Sequence, residues 1–137
     1  MKENIRRAIL QDQDIYLCVP MRDRLDYKVP ENQKRAERYA ADIMERYDCK
    51  VIAPQAYLPN LLDPDDPAQY QLSLRFRGEL MKYCSVLLVC GEAFTEEMEE
   101  EILMAVETGL LIVSMPESEA AVHGFLMQTN LDREVLL

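Results

Sequence analysis

The chain has 137 residues, 49% of them hydrophobic, and its 15 Lys+Arg against 25 Asp+Glu give a formal net charge of -10. That length suits one domain with one core. The acidic balance argues against binding polymeric nucleic acid, which needs a basic footprint, and no apolar run is long enough to span a membrane.

Ile5, Ala8 and Ile9 recur at helical spacing and predict a short amphipathic helix over residues 3-10. These first residues carry charges and lack the apolar core of a signal peptide, so a cytoplasmic location is expected. Ile15-Tyr-Leu-Cys-Val19 reads as the first strand, stopped by Pro20. A charged loop from Met21 to Val29 carries Arg22, Arg24 and Lys28 against Asp23 and Asp26. Pro30 presets a helix running to about Tyr47, with Ala36, Tyr39, Ala40, Ile43 and Met44 on its expected buried face.

Lys50-Val-Ile-Ala53 is a second, short strand. The loop from Pro54 to Pro67 is long for a compact domain and holds Gln55, Tyr57, Asn60, Asp63, Asp65 and Asp66; loops of that size are often functional. A helix over about 68-83 is expected to bury Leu72, Phe76, Leu80 and Tyr83. Ser85-Val-Leu-Leu-Val-Cys-Gly91 is an apolar run too short for a buried helix and ended by glycine, which fits a parallel strand covered on both faces. The next helix places Met98, Ile102, Ala105 and Val106 on one face, with Glu101 at its edge, and Gly109 sits where a left-handed cap is expected. Leu110-Leu-Ile-Val113 is the fourth strand, and Ser118 is a candidate cap for a helix over 119-128. The tail from Asp132 to Leu137 reads as an edge strand or a docking segment.

Strands alternating with helices imply a single α/β domain over residues 1-137. The expected architecture is a three-layer sandwich with a mainly parallel, flavodoxin/Rossmann-like sheet of four to five strands, the first strand central. Its ligand crevice should lie between the ends of the first and third strands, where loops 20-30, 54-67 and 91-95 meet.

Cys18, Cys49, Cys84 and Cys90 show no CxxC spacing and read as reduced core residues. His123 is the single histidine, no Ser-His-Asp or Cys-His arrangement stands out, and no metal or cofactor is indicated. Walker-type and GxGxxG loops are absent. The basic loop reads either as a phosphate site or as a solvated charged loop. The run Glu96, Glu97, Glu99, Glu100, Glu101 reads either as a solvated helix face or as part of a ligand site.

Ile15-Tyr-Leu-Cys-Val-Pro20 resembles the opening strand of nucleoside 2-deoxyribosyltransferases and their relatives, which read IYLAGP or VYVASP. Asn32, Ala36, Tyr39 and Ala40 match an N-x-x-x-A-x-x-Y-A pattern in a small branch of that superfamily. Ala53-Pro54-Gln55 and Pro59-Asn-Leu-Leu-Asp63 resemble its second strand and following loop, and Met98 with Glu101, Ile102 and Ala105 resembles its G-M-x-x-E-I-x-x-A signature. The resemblance covers about residues 14-113.

It implies Glu101 as a nucleophile that attacks the anomeric carbon of a nucleoside or nucleoside 5'-monophosphate, with Tyr16 orienting its carboxylate. Asp63 or Asp66 would protonate the leaving base. Pro20, Arg22, Arg24, Asn32, Gln55, Asp63, Gly91 and Met98 would contact substrate. A homo-oligomer, dimer or larger, is also implied, with Ile5, Ile9, Leu10 and Val135-Leu-Leu137 as plausible contacts. Glu97, Val19 and Ser85 depart from the family pattern. Glu97 and Val19 favour a non-catalytic domain that binds or senses a nucleotide-derived small molecule, whereas Tyr16 and Glu101 favour the enzyme.

Overall fold

The computed structural model of the chain describes residues 1–21 and 29–129. Arg22, Arg24 and Lys28, and the tail segment with Val135-Leu-Leu137, lie outside these residues.

Among the described residues four strands form one all-parallel sheet: β1 (Asp14–Cys18), β2 (Lys50–Ile52), β3 (Val86–Val89) and β4 (Leu111–Ser114), in the order β2-β1-β3-β4. Five α-helices accompany them among the described residues: α1 (Glu3–Leu10), α2 (Val29–Tyr47), α3 (Pro67–Met81), α4 (Glu96–Thr108) and α5 (Glu119–Gln128). The fold is therefore α/β and Rossmann/flavodoxin-like, with β1 central as expected. All four residues of β3 are buried, and so are four of the five in β1. A parallel strand covered on both faces leaves no solvent side for polar residues to occupy.

Successive side chains alternate across each strand. Ile15 and Leu17 of β1 join Leu88, Ala36, Ile43 and Leu10 in the core under α1 and α2. Tyr16 and Cys18 face the other way, into the core that Met81, Met98, Ile102, Ala105 and Val122 build from α3, α4 and α5. Parallel pairing sets Tyr16 opposite Ile52 on one side and Leu87 on the other.

Local chemistry fixes the helix ends. Asp66 caps α3 by accepting from the Ala68 amide, with Pro67 in the first turn. Thr95 caps α4 by accepting from the Met98 amide, and Glu96, Glu97 and Glu99 complement the dipole of its first turn. Gly109 closes α4 at φ 94°, in the left-handed region, as its position predicts.

Several expected faces are corrected. On α3 the buried residues are Ser73, Arg77 and Met81, whereas Leu72 (46%), Phe76 (43%) and Tyr83 (76%) are exposed. The helix is turned by one residue, about 100°, relative to its most apolar stripe, because that rotation carries Arg77 inward to a buried carboxylate. Tyr83 lies beyond the end of the helix. On α2, Met44 is exposed, and Asn32 and Tyr47 are buried beside Ala36 and Ile43. On α1, Ile5 is exposed while Arg6 and Leu10 are buried; Leu10 and Ile9 pack into this chain's own core.

Candidate functional site

Two polar features flank the central strands. The first is sealed inside the α3/α4 layer. Glu101 is not at the rim of the apolar face of α4, as its spacing suggests, but at the centre of the buried face, 1% exposed among Glu97, Met98, Ile102 and Ala105. Burying a charge is costly unless it is paired and hydrogen-bonded, and Glu101 is both. The Tyr16 hydroxyl donates to Oε2 at 2.5 Å, and Gln55 Nε2 donates to both oxygens at 3.0 and 2.9 Å. Arg77 Nη1 donates to Oε2 at 3.2 Å as a buried ion pair.

Each partner comes from a different element. Tyr16 projects from mid-β1, Gln55 from the 3-10 turn Pro54–Ala56 after β2, and Arg77 from α3. Burial pushes the Glu101 carboxyl above its ordinary range, opposed by the Arg77 charge and the Tyr16 hydrogen bond. Burial, followed by the Glu101 charge, likewise raises the Tyr16 phenol and the Cys18 thiol. The Arg77 guanidinium also lies 5.6 Å from the centre of the Tyr70 ring, and the Tyr70 hydroxyl donates to Glu100 Oε1 at 2.7 Å. Among the described residues, Arg77 Nη2, Gln55 Oε1 and Ser73 Oγ meet no hydrogen-bond partner.

The second feature is open. A crevice of about 740 Å³ is lined by Val19, Pro20, Asn32, Arg35, Tyr39, Gly91, Glu92, Ala93 and Glu117. It sits at the C-terminal ends of β1 and β3, the topological switch point where open α/β sheets bind ligands. Gly91 has φ +96°, and a Cβ there would meet the Tyr39 hydroxyl at 3.5 Å. The turn after β4 holds both backbone groups of Gly91: its N–H donates to Glu117 Oε1 at 3.2 Å, and its carbonyl accepts from Ser118 Oγ at 2.6 Å. Ser118 thus spends its hydroxyl on Gly91 and makes no side-chain cap on α5. Gln33 Nε2 reaches the Ala56 carbonyl and Asn60 Oδ1 at 3.4 and 3.1 Å, joining the start of α2 to the loop after β2.

The sequence-expected residues therefore divide. Pro20, Asn32 and Gly91 line the crevice. Tyr16, Gln55 and Glu101 meet in the buried cluster. Met98 is a fully buried core residue. Asp63 and Asp66 serve local turns: Asp63 Oδ1 accepts from the Asp65 amide at 2.9 Å, and Asp66 accepts from Ala68 and Gln69. Arg77 and Glu117 were not expected in either feature. Glu117 follows a strand's C-terminal end, a position that could have flagged it, whereas nothing in the spacing singles out Arg77. The four cysteines are free thiols. Among the described residues, no group of three or more His, Cys, Asp or Glu could hold a metal ion, and no helix is long and apolar enough to cross a membrane.

A parallel four-stranded sheet in the order β2-β1-β3-β4, flanked by helices and with a concavity at its switch point, defines a Rossmann/flavodoxin-like α/β protein. Within that class, the chain belongs to the domain of unknown function family DUF7768, which matches residues 13–115. That span runs from β1 through β4 and contains Tyr16, Gln55, Arg77 and Glu101. No curated protein and no solved structure matches the chain.

Proposed function

We propose that this domain binds a nucleoside or nucleotide-derived small molecule in the switch-point crevice, and that Glu101 organises the scaffold beneath it without attacking the ligand. The observation that carries this reading is the enclosure of Glu101, with both oxygens engaged by Tyr16, Gln55 and Arg77. A nucleophile needs an oxygen aimed at the reacting carbon at roughly 3–3.5 Å. Arg77 stays charged and cannot serve as a proton donor to a leaving base. The crevice offers a different chemistry: Glu92 and Glu117 can accept from sugar hydroxyls and Tyr39 supplies an aromatic face, while the buried Asn32 amide donates to the Met21 carbonyl and accepts from Arg35 Nη1.

A second reading is cleavage or transfer at an N-glycosidic bond through Glu101. The Tyr16–Glu101 hydrogen bond supports it, being the contact that the resemblance to deoxyribosyltransferases implies. Free cysteines support a reducing compartment such as the cytoplasm. Exposed Leu72, Phe76 and Leu103 on the neighbouring helices α3 and α4 support a second copy of this chain as partner.

The test is thermal unfolding with a panel of nucleosides, deoxynucleosides and their 5'-monophosphates, with free base followed chromatographically in the same samples. Stabilisation without base release supports binding. Release that disappears in Glu101→Gln establishes the enzyme. Absence of both, at millimolar ligand, removes both readings.

A further inference from the structure

We propose that the ligand of the crevice is phosphorylated and that its phosphate sits on Arg35 and Arg38, in a groove that continues the crevice along α2. This inference rests on the binding reading above. A second concavity of about 340 Å³ is lined by Arg35, Arg38, Tyr39 and Asp42. It shares Arg35 and Tyr39 with the crevice, so the two form one path from the strand ends onto α2.

Charge is sorted along this path. The strand-end part carries Glu92 and Glu117, which suit hydroxyl donors and repel anions. The α2 part carries two guanidinium groups three residues apart, and residues at that spacing share one helix face. Asp42, the one acid of the groove among the described residues, reaches Arg46 Nη1 at 3.5 Å along the helix. Arginine's planar fork is suited to phosphate oxygens. On a chain of net charge -10 the general field repels anions, so a local arginine pair is what would make an anion's binding favourable. A ligand with hydroxyls at one end and a phosphate at the other fits that order of charges, which a bare nucleoside would leave half used. Both arginines are exposed, so replacing them should leave the fold intact.

The experiment is calorimetric titration of the full chain with adenosine, guanosine, cytidine and uridine, their 5'-monophosphates, and inorganic phosphate. Wild type, Arg35→Gln and Arg38→Gln are compared. For at least one pair the 5'-monophosphate should bind about tenfold or more tightly than its nucleoside, a preference that Arg38→Gln lowers on the order of tenfold and that weakens with added salt. Equal affinity for a nucleoside and its monophosphate, or a preference unchanged in both variants, overturns the phosphate assignment and leaves the binding reading standing. Inorganic phosphate bound by wild type and lost in Arg38→Gln, with no nucleoside or nucleotide bound, upholds the anion groove and removes the nucleotide reading. No binding by any probe removes both.

Discussion

Arg77 and Glu101 face each other across the α3/α4 interface, Nη1 to Oε2 at 3.2 Å, each side chain 1% exposed. Their attraction offsets part of the cost of burying each charge, and the pairing carries Arg77 inward and so sets the rotation of α3. Breaking a buried pair by removing one partner typically costs about 3–5 kcal/mol, because the other charge is left uncompensated. Arg77→Met should therefore lower the unfolding free energy by about that amount in urea titrations. Adding Glu101→Gln should restore a large part of it. Equal losses in the single and double variants would show that the pair is not coupled.

Tyr16 donates to the same buried carboxylate oxygen. Hydrogen bonds to charged groups contribute about 1.5–3 kcal/mol. Tyr16→Phe keeps the ring in the core that Tyr16 shares with its cross-strand neighbours Ile52 and Leu87 and should cost about that much. A loss below 0.5 kcal/mol, on the order of a neutral surface change, would mean that Gln55 and Arg77 suffice to hold Glu101.

The raised Glu101 carboxyl has a signed consequence for stability. The folded state holds the proton more tightly than the unfolded chain, whose carboxyl titrates near 4.5. The contribution of Glu101 is thus most favourable below that value and declines as pH rises through the higher folded-state value. Denaturation of wild type and Glu101→Gln between pH 4 and pH 8 should show the wild type losing ground to the variant as pH rises. The opposite slope would mean that Arg77 and Tyr16 outweigh burial.

Gly91 occupies the left-handed region at the mouth of the crevice, both its backbone groups held by Glu117 and Ser118. Left-handed backbone costs a residue with a Cβ about 1–2 kcal/mol. Gly91→Ala should lose that much stability, and so should Gly109→Ala, but only the first should also weaken ligand binding. Unchanged ligand affinity in Gly91→Ala would separate the turn from the site.

The strands and their order were legible because a short buried apolar run ended by proline or glycine has few other readings. The rotation of α3 was not. Its stripe Leu72, Phe76, Leu80 is more apolar than Ser73, Arg77, Met81, and periodicity cannot weigh an ion pair with a residue 24 positions away. Tyr16 and Glu101 lie 85 residues apart, so only the sheet register and the packing of α4 bring them together; spacing alone cannot. The family resemblance anticipated that contact, while their enclosure emerged only from packing. A concavity does lie at the ends of β1 and β3, lined by Pro20 and by Gly91 and Glu92 of the expected loops, but no residue of loop 54-67 is in its lining, and Arg35 of α2 and Glu117 after β4 come from segments that no local pattern connects.

The most direct measurement is the melting temperature of wild type and Glu101→Gln with nucleoside 5'-monophosphates, with base release assayed in the same tubes. A ligand bound only by the folded state raises stability as its concentration exceeds its dissociation constant. The expected result is a monophosphate-induced rise in both proteins and free base in neither. Base released by the wild type and absent in Glu101→Gln would contradict a structural Glu101 and establish it as the reacting group.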